Sequence, residues 1–582
     1  MSGAALVTAA GGRTRWIIPA EDPGARELAQ MLGLHAPAAD VLWNRGYRTA
    51  ADIHAFLQPT LEDMHDPMLL RDMDRAVARL LTAIERKEKI LLYGDYDVDG
   101  TTSIVILKKA LDLAGAQSEF FVPHRMRDGY GMRPEAIDRA SANGVRLVIS
   151  VDTGIRANAV VEHARVLGID VIVTDHHLPD AELPPALAVI NPNRRDCSYP
   201  EKNLCGAGVT FKLTQALMRG LQWPADRIRK ISESLLKMIA VATVADVVPL
   251  LGENRVIVKR GLEGFHTVKN PGLRALLRVA GFNDGECPSA GQIAFRVAPR
   301  INAAGRMANA ADVVDMFLTA DEGHALRLAN ELHELNKERQ ETEADIVKRI
   351  EEICTAEPVS ADDFALVFCG LGWHRGVIGI VASRVVERYH RPVIVLSEDE
   401  ETRLVQGSGR SIPAFHLLQA LETMPDLFTK FGGHRQAAGM TLPAESVAEF
   451  RRRLNLHASQ VLTPEDLVPT VQADAVLKLT DLTEAAIKEI FALAPFGCGN
   501  PSPVFAVLDA ELAGPVSLVK DKLLKLPLRQ NGRTLIANSW NLARRAEEFQ
   551  MGRRYNFAVC VEEETRGYGS WRLSVKDASP VE

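Results

Sequence analysis

Short apolar runs alternate with amphipathic stretches between Ala76 and about Thr319. The clearest runs are KILLY, VRLVISV and DVIVT, at residues 89–93, 145–151 and 170–174. Continuous apolar runs that alternate with segments of helical period are typical of parallel strands covered on both faces. The pattern therefore predicts an α/β domain with a parallel sheet over residues 76–320.

The next stretch predicts one long helix. Residues 321–353 keep a helical period, contain no proline and have no glycine after Gly323. Such a stretch is long enough to join two domains, and its many charges indicate a solvated face rather than a nucleic-acid patch.

Two further domains and an N-terminal segment complete the predicted organisation. Residues 354–462 predict a smaller α/β unit, with strands FALVF and PVIVL and a glycine-rich FGGHRQAAGM. Residues 463–582 change to short strands such as PVFAVLDAEL, KLLKLPLRQ, RRYNFAVCVEEE and SWRLSVKD, which predict a small antiparallel barrel. Residues 1–75 are mixed and punctuated by proline, and we predict a separate N-terminal segment there.

Composition narrows the class of protein without deciding it. The 582 residues, 47% hydrophobic and 25% charged, predict several globular domains. A net charge of −7 argues against a protein that merely coats nucleic acid, although acidic metal sites and basic channels coexist in many enzymes. The seven cysteines form no CxxC pair, so neither a disulfide framework nor a thiolate zinc site is expected. The opening residues 1–12 lack a signal-peptide pattern and no long apolar run follows, so we expect a cytoplasmic protein with no membrane span.

The strongest local signal is an acidic cluster directly after the first predicted strand. In LLYGDYDVDGTTS, Asp95, Asp97 and Asp99 lie where a strand ends and a helix is expected to begin. Three carboxylates this close repel one another unless a cation neutralises them. A calcium-binding EF-hand loop is excluded, because its twelfth position is Ile106 rather than glutamate and a strand precedes it.

More acidic and imidazole residues follow the later runs. Asp152 in SVDTG and the triplet Asp175, His176 and His177 in TDHH come after the next two strands. The carboxyl ends of parallel strands meet at one edge of a sheet, so these segments should converge. Asp246 in VADVVPL is flanked by apolar residues, where an unpaired charge would be costly and a metal would relieve the cost.

This set of ligand types predicts a site for divalent ions. Carboxylates with one or two imidazoles suit Mn²⁺ or Mg²⁺, and bridging carboxylates can hold two ions about 3.5–4 Å apart. A single aspartate after a strand is more often a helix cap or a turn residue. Several such positions at equivalent points of one sheet favour the metal site.

These motifs together resemble the DHH phosphoesterases and, among them, the RecJ nucleases. The motifs stand in the order YGDYDVDG, SVDTG, TDHH, VADVVPL, APRINAAGR, the SGR at residues 408–410, GGHRQAAG and PFGCGNPSPVF, and span almost the whole chain. The resemblance implies a DHH catalytic domain at 76–320, a connecting helix at 321–353, a DHHA1 domain at 354–462 and a nucleic-acid-binding barrel like an OB fold at 463–582. The activity that it implies is 5′→3′ hydrolysis of single-stranded DNA by a two-metal exonuclease of DNA repair and recombination.

The resemblance also implies roles for individual residues. It makes Asp152 a bridge between two Mn²⁺ or Mg²⁺ ions, His177 a phosphate-contacting or acid-assisting neighbour, and Asp175 a residue that orients a histidine. The implied metal ligands are Asp95, Asp97, Asp99, Asp152, His176 and Asp246. The implied catalytic set is Asp97, Asp99, Asp152, His176 and His177.

Basic and polar residues of the remaining motifs are the candidate substrate contacts. Solvated surface arginines are the common alternative, but glycines beside Arg410 and His434 allow a close approach of phosphate. The resemblance places Arg125, Ser408 and Arg410 at the 5′-terminal phosphate, and implies single-stranded DNA, a single-strand-binding protein and a helicase as partners. The candidate contacts are Arg125, Arg300, Asn302, Arg306, Ser408, Arg410 and His434, with His124, Arg127 and Arg435 in the same motifs.

Several other functions fit parts of the pattern. A DHH phosphodiesterase of short oligonucleotides or cyclic dinucleotides and a manganese pyrophosphatase share the acidic core, but the barrel-like region favours a longer polymer. A non-catalytic replication scaffold of the same fold is disfavoured by the intact acidic positions. A nucleotide-driven helicase is disfavoured because the chain has no Gly–Lys–Ser/Thr step. Polarity and the preference for DNA over RNA come from the resemblance alone.

Overall fold

The computed structural model describes residues 4–8, 14–125, 127–129, 131–564 and 571–581. The chain forms two compact units. The first contains His54–Arg339 and Ala494–Pro501, and the second contains Met1–Ile53, Gln340–Leu493 and Ser502–Glu582. The described residues include no helix with the length and apolarity needed to cross a membrane. The opening segment, predicted to have no targeting role, falls largely outside the described residues.

The N-terminal residues form a short hairpin and three helices. Their elements are β1 (Ala4–Thr8), β2 (Arg15–Pro19), α1 (Pro23–Leu32), α2 (Ala36–Asn44) and α3 (Ala50–Leu57). β1 and β2 pair antiparallel, and residues 470–472 add a third strand parallel to β2. The predicted domain boundaries stay predictions, but this pairing joins residues far apart in the chain.

A five-stranded parallel sheet organises the first unit. Its elements are α4 (Met73–Glu85), β3 (Lys89–Tyr93), α5 (Val98–Leu113), β4 (Gln117–Phe121), α6 (Pro134–Ala142), β5 (Val145–Val151), α7 (Asn158–Val166), β6 (Asp170–Thr174) and β7 (Ala188–Ile190). The strand order is β4-β3-β5-β6-β7, and every neighbouring pair is parallel. The three runs predicted as strands are confirmed as β3, β5 and β6.

Both faces of this sheet are covered at β3, β5 and β6, which explains why these strands are mostly apolar, whereas the edge strand β4 (QSEFF) is half exposed. Ile90 and Leu92 belong to a core shared with α4, α5 and α8 (Gly206–Gly220). Leu91 and Tyr93, which alternate with them, belong to the opposite core with α6 and α7. A strand buried on both faces needs no polar alternation.

Helices complete the first unit, and one of them continues into the second. After α8 they are α9 (Ala225–Ala245), α10 (Gly252–Glu263), α11 (Pro271–Val279), α12 (Ala290–Gln292), a π-helical turn (Ile293–Val297), α13 (Ala298–Met307), α14 (Ala311–Leu318) and α15 (Glu322–Ala356). The predicted long helix is confirmed, because α15 has 35 residues and begins within one residue of the predicted start.

The second unit contains a mixed sheet. Its elements are β8 (Leu366–Leu371), α16 (Ile378–Tyr389), β9 (Val393–Glu398), β10 (Leu404–Arg410), α17 (Leu417–Glu422), β11 (Lys430–Gly433), β12 (Ala437–Pro443) and α18 (Val447–Val461). The order is β11-β12-β10-β9-β8, with only β8 and β9 parallel. FALVF and PVIVL overlap β8 and β9, whose bounds differ from those of the predicted runs by one to three residues.

The same unit ends in a closed barrel. Its elements are β13 (Thr470–Gln472), β14 (Ala475–Val476), α19 (Glu484–Ala492), β15 (Phe505–Leu512), β16 (Ser517–Val519), β17 (Leu523–Gln530), β18 (Arg533–Ser539), β19 (Arg554–Glu563) and β20 (Trp571–Pro580). Five strands close in the order β15-β19-β20-β18-β17, and β17 pairs with β15. The predicted barrel is confirmed, and its strand pairs are antiparallel except for β18 and β20, which are parallel. Alternating side chains identify strands, but pairing between strands that are not consecutive depends on closure of the barrel.

Candidate active site

The acidic cluster after β3 occupies the turn into α5. Asp97 caps α5, and its Oδ1 accepts a hydrogen bond of 2.9 Å from the Gly100 amide. Asp99 lies in the first turn, where its two oxygens accept hydrogen bonds from the Gly206 amide (2.6 Å) and the Ala207 amide (2.8 Å) at the start of α8. Capping and the positive end of a second helix thus hold two carboxylates in place.

Asp152 follows β5 and faces the same helix start. Its φ of 59° is in the left-handed region, which aspartate tolerates better than most residues. A Cβ at position 206 would lie 2.5 Å from Asp152 Oδ1, so only glycine fits at the start of α8. The start of α8 can therefore approach the Asp152 carboxylate this closely only because residue 206 is a glycine.

The two histidines after β6 have different surroundings. His176 Nε2 lies 3.2 Å from Asp152 Oδ1, and is buried without a hydrogen-bond partner among the described residues. His177 Nδ1 lies 2.7 Å from Asp175 Oδ1. Asp175 also accepts hydrogen bonds from the amides of Ile155, His176 and His177. The histidine that Asp175 orients is therefore His177.

Asp246 reaches the cluster from a helix end rather than from a strand. It is the C-cap of α9, and its Oδ2 lies 3.7 Å from His176 Nε2. Val247 follows with a φ of 60°, a conformation that costs a β-branched residue energy and that turns the chain sharply after Asp246.

The assembled groups fit divalent cations. Three sets of side-chain atoms lie within 4.8 Å of one another: Asp95, Asp97 and Asp152; Asp99, His176 and Asp246; and Asp152, His176 and His177. Asp152 Oδ1, His176 Nε2 and Asp246 Oδ2 are buried and lack hydrogen-bond partners among the described residues. Buried polar atoms are normally satisfied, so orphan atoms that converge indicate a missing ligand. Oxygen donors with one imidazole suit Mn²⁺ or Mg²⁺.

The electrostatics of the cluster point the same way. Burial, with the charge of Asp97, raises the pKa of Asp95 to about 8. Burial, with the charges of Asp99 and Asp97, raises the pKa of Asp246 to about 9. Burial also raises the pKa of Asp152 and lowers the pKa of His176. Without bound cations, burial and mutual repulsion therefore favour the neutral, protonated carboxyl groups. Bound cations would favour the charged carboxylates instead.

These shifts predict how stability depends on pH and metal. The pKa values of Asp95 and Asp246 in the folded protein exceed the unfolded value of 3.8. The contribution of these two groups to the free energy of unfolding is therefore present below about pH 4 and is lost as pH rises through about 8–9. Divalent ions need the deprotonated ligands. We expect the rise in Tm caused by Mg²⁺, relative to EDTA, to be several degrees larger at pH 8.5 than at pH 6.0. An equal or larger rise at pH 6.0 would contradict the assigned carboxylates.

His177 behaves differently from the ligand cluster. Burial opposes its protonation, but the hydrogen bond and charge of Asp175 outweigh burial and raise the pKa of His177. Burial likewise opposes ionisation of Asp175, yet its bonds to His177 and to backbone amides lower the pKa of Asp175. The pair therefore keeps a cationic imidazole beside the acidic cluster more readily than an isolated histidine would.

The predicted substrate residues of the first unit lie around the turn after β3. The Arg125 guanidinium lies 5.1 Å from the centre of the Tyr96 ring. The charges of Arg125 and Arg306 partly offset burial, which raises the pKa of the Tyr96 hydroxyl. Asn302 Oδ1 accepts a 3.3 Å hydrogen bond from the Val98 amide. α13 thus supports the acidic turn directly.

Two basic positions in this unit make local contacts instead. Arg300 Nε donates to His333 Nδ1 at 3.1 Å, and another nitrogen bonds to the Arg296 carbonyl. Arg127 is an exposed residue paired with Asp128 at 2.7 Å. The substrate role of Arg300 stays a prediction.

The second unit brings Ser408 and Arg410 together. Arg410 donates to Ser408 Oγ at 3.0 Å and to the Gly409 carbonyl at 2.8 Å. A Cβ at position 379 would lie 2.9 Å from Ser408 Oγ and 3.1 Å from an Arg410 nitrogen, so both side chains lie against the start of α16. His434 and Arg435 are exposed between β11 and β12.

Sequence reasoning missed the residues that hold the carboxylates. The amides of Gly206 and Ala207 bind Asp99, but neither residue has a functional side chain. The available signal is the run CGAG at a helix start, since small residues there let a helix N-terminus approach an anion.

Fold and site together define a DHH-class protein with a DHHA1 domain and a C-terminal OB barrel. The sequence matches the DHH family N-terminal domain over residues 89–243, the DHHA1 domain over 362–460 and the RecJ OB domain over 473–577. It is 37% identical to the single-stranded-DNA-specific exonuclease RecJ of Bacillus subtilis over 98% of this chain and 71% of that protein. For the Escherichia coli protein of the same name the identity is 39%, over 79% and 81% of the two chains.

A solved structure extends the similarity to three dimensions. The crystal structure of RecJ from Thermus thermophilus in complex with Mn²⁺ has a TM-score of 0.83 and 30% identity, over 98% of this chain and 80% of that one. A crystal structure of the same protein in complex with Mg²⁺ has a TM-score of 0.78 and 28% identity, over 98% and 79% of the chains. The chain belongs to the RecJ family.

Proposed function

We propose that this protein is a single-stranded-DNA-specific exonuclease that hydrolyses phosphodiester bonds from the 5′ end with two Mn²⁺ or Mg²⁺ ions. The proposal depends on one observation: three buried atoms that can bind a metal, Asp152 Oδ1, His176 Nε2 and Asp246 Oδ2, converge without hydrogen-bond partners among the described residues. Relatives that share these domains are named single-stranded-DNA-specific exonucleases. Metal-bound structures of one of them support the choice of ions.

We assign one ion to the side of Asp95 and Asp97 and the other to the side of Asp99 and Asp246, because these sets are separate. Asp152 shares one set with Asp95 and Asp97 and lies 3.2 Å from His176 of the other, which supports its role as the bridge. Bound ions of this kind activate water and stabilise developing phosphoryl charge. We assign His177 the role of a phosphate contact, because its imidazole lies beside the acidic cluster and Asp175 holds it there through Nδ1.

Two alternatives are less well supported. A non-catalytic scaffold has no use for six converging carboxylate and imidazole side chains, which bury charge at a cost. A phosphodiesterase of short oligonucleotides has no need of the OB barrel, whose fold commonly binds longer strands. We also propose a cytoplasmic role in DNA repair and recombination, with a single-strand-binding protein and a helicase as partners.

Digestion of one oligonucleotide, labelled at either end, tests the function. With Mn²⁺ or Mg²⁺ the 5′ label should appear at once as a mononucleotide, whereas the 3′ label should remain on progressively shorter strands. EDTA should stop both reactions. Release of the 3′ label first would contradict the polarity, cleavage only of strands a few nucleotides long would support the short-substrate alternative, and no cleavage would support the scaffold.

The barrel carries an exposed surface suited to bases. β17 and β18 are the second and third strands of the closed barrel, the face that OB folds commonly use for oligonucleotides. Trp540 directly after β18 is 59% exposed, and Ile536 on β18 is 64% exposed. Lys525 on β17 is exposed opposite Asn538. Aromatic side chains combined with cationic ones on the same surface commonly bind single strands without sequence preference.

Replacing Trp540 by alanine should weaken binding of long single strands by about tenfold, because one stacked base is worth roughly 1–3 kcal/mol. The salt dependence of binding should stay unchanged, since no charge is lost, whereas Lys525→Ala should reduce its slope. Fluorescence anisotropy over a salt series measures both. Met551→Ala, which removes an exposed apolar side chain before β19, is the matched control. Equal affinity of Trp540→Ala and wild type would exclude this face.

A further inference from the structure

A buried polar network lies behind the candidate metal site and joins two of its supporting segments. The first segment leads into α8, whose opening amides bind Asp99 and whose Gly206 touches Asp152. The second leads from Asp246 to the start of α10. The two segments are more than thirty residues apart in the chain, so only tertiary contacts set the distance between them.

One side-chain amide bridges these segments directly. Asn254, in the first turn of α10, is fully buried. Its Nδ2 donates to the Asn203 carbonyl at 2.6 Å and to the Pro249 carbonyl at 3.1 Å. Asn203 lies three residues before Gly206 and Pro249 lies three residues after Asp246. The amide therefore connects the backbone on the Asp99 side to the backbone on the Asp246 side.

A buried ion pair reinforces the bridge one residue away. Lys212 on α8 lies 2.5 Å from Glu253 at the start of α10, and both side chains are at most 1% exposed. Glu253 also accepts hydrogen bonds from Tyr199 Oη (2.6 Å) and the His65 amide (2.8 Å). The pair and the amide thus tie α8 to the same end of α10.

The choice of these residues is hard to explain by stability alone. Removing a lysine and a glutamate from water is costly, and well-packed apolar residues of similar volume often serve as well or better. What a buried, hydrogen-bonded charge pair provides is one defined geometry rather than several similar packings. A metal site with ligands on both segments requires such a geometry.

We infer that Asn254, with the Lys212–Glu253 pair, is a positioning device that sets the separation of Asp246 from Asp99 and Asp152 and thereby tunes ion binding. The inference rests on the proposed function for its nuclease readout, but not for its metal-binding readout. Residues that orient metal ligands from behind typically affect metal affinity or activity by about 10–100-fold.

Asn254→Leu keeps the approximate volume and removes the donor. We expect its Kd for Mn²⁺, measured by calorimetry, to rise at least about tenfold. The kcat on single-stranded DNA should fall by a similar factor. KM for the strand should change less than about twofold, because none of the hydrogen bonds of the network involves a candidate substrate-binding residue. The matched control is Asn270→Leu, since Asn270 also bridges segments, donating to the Phe317 carbonyl at 2.8 Å and capping α11. Asn270→Leu should lower Tm comparably and leave Kd and kcat unchanged.

A second variant covers the case in which Asn254→Leu does not fold. Lys212→Met combined with Glu253→Met replaces the pair by apolar side chains, which should preserve folding. If the pair served stability alone, the double variant would fold and bind Mn²⁺ with the wild-type Kd. If the pair positions the metal ligands, the double variant should fold but bind Mn²⁺ at least about tenfold more weakly. Wild-type Kd in a folded Asn254→Leu protein, or in the double variant, would overturn the inference. Mn²⁺ binding without nuclease activity in wild type would instead refute the proposed function and leave the network testable by Kd.

Discussion

Replacing Asp152 by asparagine is expected to lower the rate of DNA hydrolysis on the order of a thousandfold or more. Asparagine keeps the shape and tolerates the left-handed φ of 59°, so the loss comes from the missing negative charge. A neutral amide cannot bridge two cations as a carboxylate does, and several kcal/mol of transition-state stabilisation are then lost. Single-turnover digestion of a labelled strand measures the effect.

The same substitution should stabilise the metal-free protein. Burial and four neighbouring carboxylates raise the pKa of Asp152, so folding without metal must either protonate it or keep a buried, repelled charge, a cost that asparagine avoids. Tm in EDTA should therefore rise while the gain from Mn²⁺ shrinks. Asp170→Asn is the matched control, because Asp170 is paired with Arg79 at the other end of β6. An inactive protein with a lower Tm in EDTA would indicate misfolding, and a folded, fully active Asp152→Asn would refute the two-metal proposal.

Arg410→Ala should slow attack on 5′-phosphorylated strands by about tenfold to more than a hundredfold. One charged hydrogen bond to phosphate is worth roughly 1.5–3 kcal/mol, and a guanidinium can hold phosphate with two donors. The Ser408 hydroxyl, which lies beside the Arg410 guanidinium, has a proton of its own to donate on the same side. The rate on strands with a 5′-hydroxyl should fall much less, since they lack the terminal phosphate that Arg410 is proposed to bind.

The measurement is kcat/KM for both kinds of 5′ end. Ser408→Ala should show the same preference with a smaller loss. The control is Arg403→Ala, because Arg403 immediately precedes β10 at its opposite end, is largely exposed and pairs there with Glu398. Equal losses on the two substrates would mean that Arg410 binds the strand generally rather than its end.

Local sequence determined much of this protein. The apolar runs became β3, β5 and β6 with their predicted bounds, because strands buried on both faces need continuous apolar side chains. The acidic and imidazole residues after these strands converged, because parallel strands end at one edge. Asp97 caps α5 through contacts within four residues, an interaction that sequence alone can encode.

Tertiary structure decided the remainder. Asp246 meets His176 only because α9 ends beside the sheet, and no periodicity specifies where a helix end docks. Asp175 orients His177 rather than His176, a choice made by side-chain geometry after the turn had formed. The parallel pairing of β18 with β20 and the pairing of β2 with β13 depend on strands that are distant in the chain.

The physical reason is the range of the interactions involved. Helix caps, strand alternation and turn residues act over a few positions, so they are visible in the sequence. The role of Gly206 depends on the approach of a helix to a carboxylate more than fifty residues away, and Asn254 bridges two loops through their backbone carbonyls. Backbone groups are the same at every residue, so the chain supplies the ligands locally, whereas only folding determines what holds them at the distance that metal ions require.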